Sequence, residues 1–110
     1  MAQQIHRCIQ QDFQSHVKES FKELRYDEDF SDVILVCEDS RLYAHQVVLS
    51  TASTVFKRMF KQCRHQIPLI VYLRKVKAKE LQAILDFIYV GEASVLNQDL
   101  QQFRSYTQIT

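Results

Sequence analysis

The chain has 110 residues and a mass of 13.0 kDa, with 46% apolar and 25% charged residues, the proportions of a single soluble globular domain. Fourteen Lys and Arg against thirteen Asp and Glu leave a formal charge of +1, so no global field draws it to nucleic acid or to an anionic membrane. One Gly and one Pro exclude a collagen-like chain or a disordered linker.

From Gln14 to Tyr26 the apolar positions are Val17, Phe21 and Leu24, spaced i, i+4, i+7 among charged residues. That spacing predicts one amphipathic helix. Val33 to Cys37 is a short β-branched run and reads as a buried strand. Asp39 and Ser40 form the expected turn, and Leu42 to Ala44 the returning strand. A short helical turn follows over His45 to Thr51, and Ser53 is placed to cap a helix holding Phe56, Met59 and Phe60.

Pro68 opens another strand, Leu69 to Leu73. The stretch Ile67 to Leu73, interrupted only by Pro68, is the longest apolar run and is far too short to span a bilayer. Ala78 to Val90 is the clearest helix: Leu81, Ile84, Leu85 and Ile88 share a stripe, and Gly91 stands where a left-handed C′ residue is needed. Asn97 is expected to cap a last helix through Leu100 and Phe103. Hairpin, helices, lone strand and helices make an α+β pattern, with short helices around a small, mostly antiparallel sheet.

Cys8, Cys37 and Cys63 are odd in number and far apart, which points to a reducing, intracellular compartment. Met1 to Gln4 contains no basic start to a secretory signal. His6 with Cys8 and Cys63 with His65 make two Cys/His pairs, but neither has a zinc-finger spacing. Cys37 reads as a small buried hydrophobe, and no metal or other cofactor is expected.

Catalytic motifs are missing, and His45, the one candidate base for Ser50 or Cys37, stands at a strand-to-helix join where a structural histidine is expected. The chain is therefore read as a non-enzyme. Charge is uneven. Asp12 to Asp39 holds nine acidic and three basic residues, whereas Lys57 to Lys79 holds eight basic and none acidic. The basic stretch reads either as a phosphate-binding patch or as a solvated face set against an acidic surface. With no aromatic ladder beside it, direct nucleic-acid binding by this segment is not expected.

Four short motifs occur in order: Phe30-x-Asp32-Val33-x-Leu35-Val36, Ala44-His45-x-x-Val48-Leu49-Ser50, Ser53-x-x-Phe56 and Leu85-Asp86-Phe87-Ile88-Tyr89-x-Gly91-Glu92. Together they resemble the BTB/POZ domain, over residues 14–103. The stretch from Val76 to Phe103 is most similar to the BTB domains of insect-type zinc-finger transcription regulators, although the tryptophan-containing N-terminal motif of that group is missing.

The resemblance implies a BTB/POZ-type fold and a protein-interaction function in transcription regulation, in the nucleus. It implies dimerisation with itself or related BTB proteins through Val17, Phe21, Leu24 and Val48, with residues 1–13 exchanged between subunits. It further implies a co-regulator pocket at Asp32, His45 and Gln46. Many relatives carry Arg or Lys where this chain has Gln46, so the charge pair of that pocket is missing and Gln46 is expected to hydrogen-bond the Asp32 carboxylate.

The alternative within the same family is a cullin-type ubiquitin-ligase adaptor. Such relatives place a glutamate in the loop before the third strand, where Lys61 to Pro68 has no acidic residue. Residues 104–110 form a divergent, β-prone tail. It is expected to be a truncated or alternative ending that leaves the apolar face of the 78–90 helix partly uncovered.

Overall fold

The computed structural model describes residues 3–64, 66–101 and 104. Residues 3–10 run without regular structure. Helix α1, Phe13–Leu24, follows and packs against α4, Ala78–Val90. Val17, Phe21 and Leu24 share a face of α1, as their spacing requires, and each is half-buried. No residue of α1 is fully buried.

Strands β1, Val33–Cys37, and β2, Ser40–Ala44, form an antiparallel hairpin with Cys37 opposite Ser40. The two turn residues are therefore Glu38 and Asp39, one position earlier than expected, and Glu38 takes up a left-handed φ of 49°. On β1 the side chains of Val33, Leu35 and Cys37 point into the core, while Ile34 and Val36 are half-covered on the other face.

Helices α2, Gln46–Ala52, and α3, Thr54–Gln62, pack on one another. The Ser53 hydroxyl accepts a hydrogen bond from the Phe56 N–H at 3.2 Å, the cap its residue type allows. Phe56 and Phe60 stack at 5.5 Å between ring centroids.

Strand β3, Leu69–Tyr72, pairs with β1 in parallel, Val33 opposite Leu69, giving the order β2-β1-β3. The sheet is thus mixed, with one antiparallel and one parallel pairing, rather than mostly antiparallel. The cause is the connection. After β2 the chain passes through two helices before it returns, and a helical crossover brings the next strand back in the direction of β1.

Helix α4 supplies Leu81, Leu85 and Tyr89 to the core, so the main line of its apolar face is covered. Ile84, Phe87, Ile88 and Val90 are half-buried. Asn97 begins a 3-10 turn, Asn97–Asp99, whose N-cap is Leu96. Phe103 and the tail from 105 onward lie outside the described residues.

The α4 helix ends on Gly91, whose φ is 88° and whose N–H donates to the Phe87 carbonyl at 3.0 Å. A Cβ built there meets nothing within 4 Å, so the cost of a side chain is purely conformational. Gly91→Ala is expected to lower the unfolding free energy by about 1–2 kcal/mol, and Gly91→Asn by less, because Asn tolerates the left-handed region. Chemical denaturation checks this; equal stability of the Ala variant and the parent contradicts it.

Candidate protein-interaction site

The join between β2 and α2 is held by polar contacts. His45 is 4% exposed. Its backbone N–H donates to the Tyr89 hydroxyl at 2.9 Å, its Nδ1 lies 2.8 Å from the same oxygen, and its Nε2 lies 3.2 Å from the Asp27 carbonyl. One proton arrangement satisfies all three contacts. Nε2–H donates to Asp27, Nδ1 is bare, and the Tyr89 hydroxyl accepts from the backbone while donating to Nδ1. Both ring nitrogens are engaged, so His45 ties α4 to the sheet and is not presented as a base to Ser50 or Cys37.

Burial pushes the Tyr89 hydroxyl up to about 12, with the His45 N–H and Arg25 acting in the opposite direction. Burial, and then the Glu38 carboxylate, also pushes the Cys37 thiol up, which favours the neutral, unreactive form.

Asp32 is half-buried one residue before β1. Its carboxylate accepts from the backbone N–H of Gln46 at 2.7 Å, while the Gln46 side-chain amide donates to the Asp32 main-chain carbonyl at 3.0 Å. The expected bond between these residues exists, but the group that meets the carboxylate is the backbone. Any residue other than Pro at position 46 could supply it. Asp32 and Gln46 therefore stand together at the head of α2, with His45 buried behind them.

A groove of about 420 Å³ runs along α1. Phe13, Val17 and Phe21 line it on one side, with Val48, Ile88 and Tyr89 opposite. Phe21 also packs on the core, whereas Val17 stands outside the core cluster. Val48 is 5% exposed and forms floor rather than rim. Leu24 packs against the core and does not line the groove. Ile5 and Ile9, ahead of this helix, and Phe13, its first residue, expose 97%, 71% and 55% of their surface. The sequence reading overlooked Ile5, Ile9 and Phe13 because the segment around them is polar and unpatterned.

Arg25, the residue that caps the C-terminus of α1, is 4% exposed. Its Nη2 donates to Gln82 Oε1 at 2.6 Å, its Nε lies 3.6 Å from Asp86 Oδ1, and its guanidinium sits 4.9 Å from the Tyr26 ring centre. A signal existed in Gln82 and Asp86, spaced i, i+4 on α4, but nothing in the sequence says that Arg25 turns back to meet them. Among the described residues no three His, Cys, Asp or Glu side chains converge as a metal site, and no helix is long and apolar enough to cross a membrane.

This arrangement, a small α+β fold with a partly uncovered apolar helix face beside a hydrogen-bonded strand-to-helix join, is that of a protein-binding module. The BTB/POZ domain family profile matches residues 21–108. Protein abrupt of Drosophila melanogaster is 43% identical over 94 residues, 84% of this chain and 10% of that protein. The Broad-complex core protein of the same fly is 36% identical over 107 residues, 94% of this chain and 14% of that protein. Longitudinals lacking protein-like, also from the fly, is 40% identical over 92 residues, 84% of this chain and 72% of that protein.

The BTB domain of zebrafish PATZ1 superposes with a TM-score of 0.79 at 20% identity, covering 94% of this chain and 85% of that one. The BTB domain of human gigaxonin gives 0.77 at 16% identity, covering 97% and 87%. The chain belongs to the BTB/POZ domain family, and its α+β fold is that of the family. It spans only a tenth to a seventh of abrupt and of the Broad-complex protein.

The His45–Tyr89 contacts make two linked predictions. Tyr89→Phe leaves the buried His45 N–H and Nδ1 without a partner and is expected to cost about 2–3 kcal/mol. The folded-state pKa of Tyr89 is above its unfolded value of 10.0, so its contribution is fully present below pH 10 and is lost as pH rises towards 12. Denaturation curves between pH 8 and 12 should converge for the parent and the Phe variant; a gap that stays constant over that range contradicts the assignment.

Proposed function

We propose that this chain is the dimerising BTB module of a transcription-regulator-type protein. It acts in the nucleus and pairs with itself or with related BTB chains through the groove along α1. The observation that carries this reading is the state of α1. It is an amphipathic helix of 12 residues with none fully buried; its first residue, Phe13, and Ile5 and Ile9 ahead of it are exposed. Burying one such side chain stabilises by about 1.5–3 kcal/mol, so a second copy laid over the groove gains more than the single chain can by any local adjustment.

Within this reading Val17 and Phe13 make the rim, Phe21 and Val48 the floor, and Leu24 acts by holding α1 on its own domain. Residues 1–13 are the segment exchanged between subunits. The co-regulator pocket reduces to Asp32 and Gln46, since His45 has both ring nitrogens occupied. The identities of 36–43% to the fly proteins support this reading over the whole domain.

The chain is expected to be dimeric at tens of micromolar. Val17→Asp is expected to split it, because a carboxylate on the apolar rim of the groove is desolvated and unpaired once a second copy covers it. Val17 lies outside the core cluster, so the variant should remain folded. Multi-angle light scattering with circular dichroism reads both; a monomeric parent chain, or a dimeric Asp variant, contradicts the reading.

The cullin-adaptor reading is not favoured. The stretch from Lys61, in the last turn of α3, to Pro68 carries no carboxylate, and Lys61 and Arg64 are exposed. Where an attraction is expected it sets like charge, which penalises the wrong partner. Calorimetric titration against a cullin N-terminal domain is expected to show no sub-micromolar binding; sub-micromolar affinity would reverse the ranking.

A further inference from the structure

Among the described residues, strand β3 is an edge of the sheet. The Leu69 N–H donates to the Asp32 carbonyl at 3.1 Å and the Leu73 N–H to the Val36 carbonyl at 2.8 Å. In a parallel ladder the bonding residues alternate. Residues 69, 71 and 73 therefore face β1, and the N–H and C=O of Ile70 and Tyr72 face outward. A strand added there would find two donors and two acceptors in register.

The side chains at the same positions are uncovered. Ile70 is 42% and Tyr72 72% exposed, and Ile67 just before the strand is 74% exposed. The far end of the strand runs into a groove of about 540 Å³ lined by Tyr72, Arg74, Lys75 and Lys77, with Glu38 as its one carboxylate. Glu38 is already engaged, accepting from the Ala78 N–H at 2.9 Å. Arg74 and Lys77 are exposed, and no acidic residue lies between Lys57 and Lys79.

The opposite edge, β2, has a different electrostatic setting. It begins at the Glu38–Asp39 turn, is flanked by Glu28 and carries the exposed Arg41, so its charge is mixed. Natural edges are usually blunted by charge or irregularity against unwanted pairing. Here the charge sits at one end of the strand and is predominantly cationic, with Glu38 tied to the Ala78 N–H and Glu80 to the Lys77 N–H, which leaves the edge open to an acidic partner.

We propose that β3 takes up an extended acidic segment of a partner protein as an added strand, its backbone pairing with Ile70 and Tyr72 and its carboxylates meeting Arg74 and Lys77. The main-chain bonds supply affinity and the cationic end supplies direction and selectivity, the division of labour of strand addition. A nucleic acid would meet the same cations but would make no use of the two outward peptide groups.

The test uses the whole chain, amide-resolved NMR and a peptide of about eight residues alternating Glu and Val. Three further probes are the same peptide N-methylated at every second amide, a Lys/Val peptide, and a single-stranded oligonucleotide. Saturable binding of the Glu/Val peptide is expected. It should shift and protect the Ile70 and Tyr72 amides and weaken at least about tenfold on N-methylation or in Arg74→Glu with Lys77→Glu.

These two substitutions are on the surface and leave the peptide groups of β3 in place. The Lys/Val peptide should not bind. The proposal is overturned if the Glu/Val peptide does not saturate, if N-methylation leaves binding unchanged, if the protected amides are those of β2, or if the oligonucleotide binds more tightly than the peptide.

Discussion

The rest of the structure depends on the contact of His45 with Tyr89. One phenol oxygen, 2.9 Å from a backbone N–H and 2.8 Å from a ring nitrogen, joins the end of β2 to the last turn of α4. Left unpaired, each buried group would cost about 1–3 kcal/mol; paired, they permit one relative placement of sheet and helix. Because α1 lies on α4 and α2 begins at His45, the same contact sets the distance between Val17 on one side of the groove and Val48 on the other. The groove is thus positioned by His45, buried behind it, and by Tyr89, which lines it.

The face itself is built in the opposite way. Its rim residues, Phe13 and Val17, are apolar and partly in water, while Val48 and Tyr89 facing them and the core of Leu35, Leu49 and Leu85 are closed. A rigid support under an unsatisfied apolar surface limits the entropy lost when a partner docks, because the groove does not have to be ordered first. The buried Arg25 serves the same end, clamping the C-terminus of α1 to Gln82 and Asp86 so that the helix presents a fixed face.

Much of this was legible in the residues, for reasons that can be named. Ser53 and Gly91 announce their helix ends because few residue types do that work. Leu81 and Leu85 declare a stripe through period alone. The direction of β3 was not legible, since a strand's own residues do not record which way it is traversed; the crossover through α2 and α3 decides it. Arg25 and Tyr89 were missed for a related reason. Their roles rest on partners 57 and 44 residues away, and a local pattern carries no information at that separation. Gln46 shows the limit from another side: its amide meets the Asp32 main-chain carbonyl, and the Asp32 carboxylate is met by the Gln46 backbone N–H.

The central claim is that the groove between α1, α2 and α4 is where a second chain sits. Isotope-filtered NOE spectroscopy on a sample mixed from 13C-labelled and unlabelled chains reads this directly. Cross-chain NOEs from the Val17, Thr51 and Ile88 methyl groups, which line the groove, are the result the account predicts. Cross-chain NOEs that come only from α3 or β3, with none from those methyl groups, would contradict it.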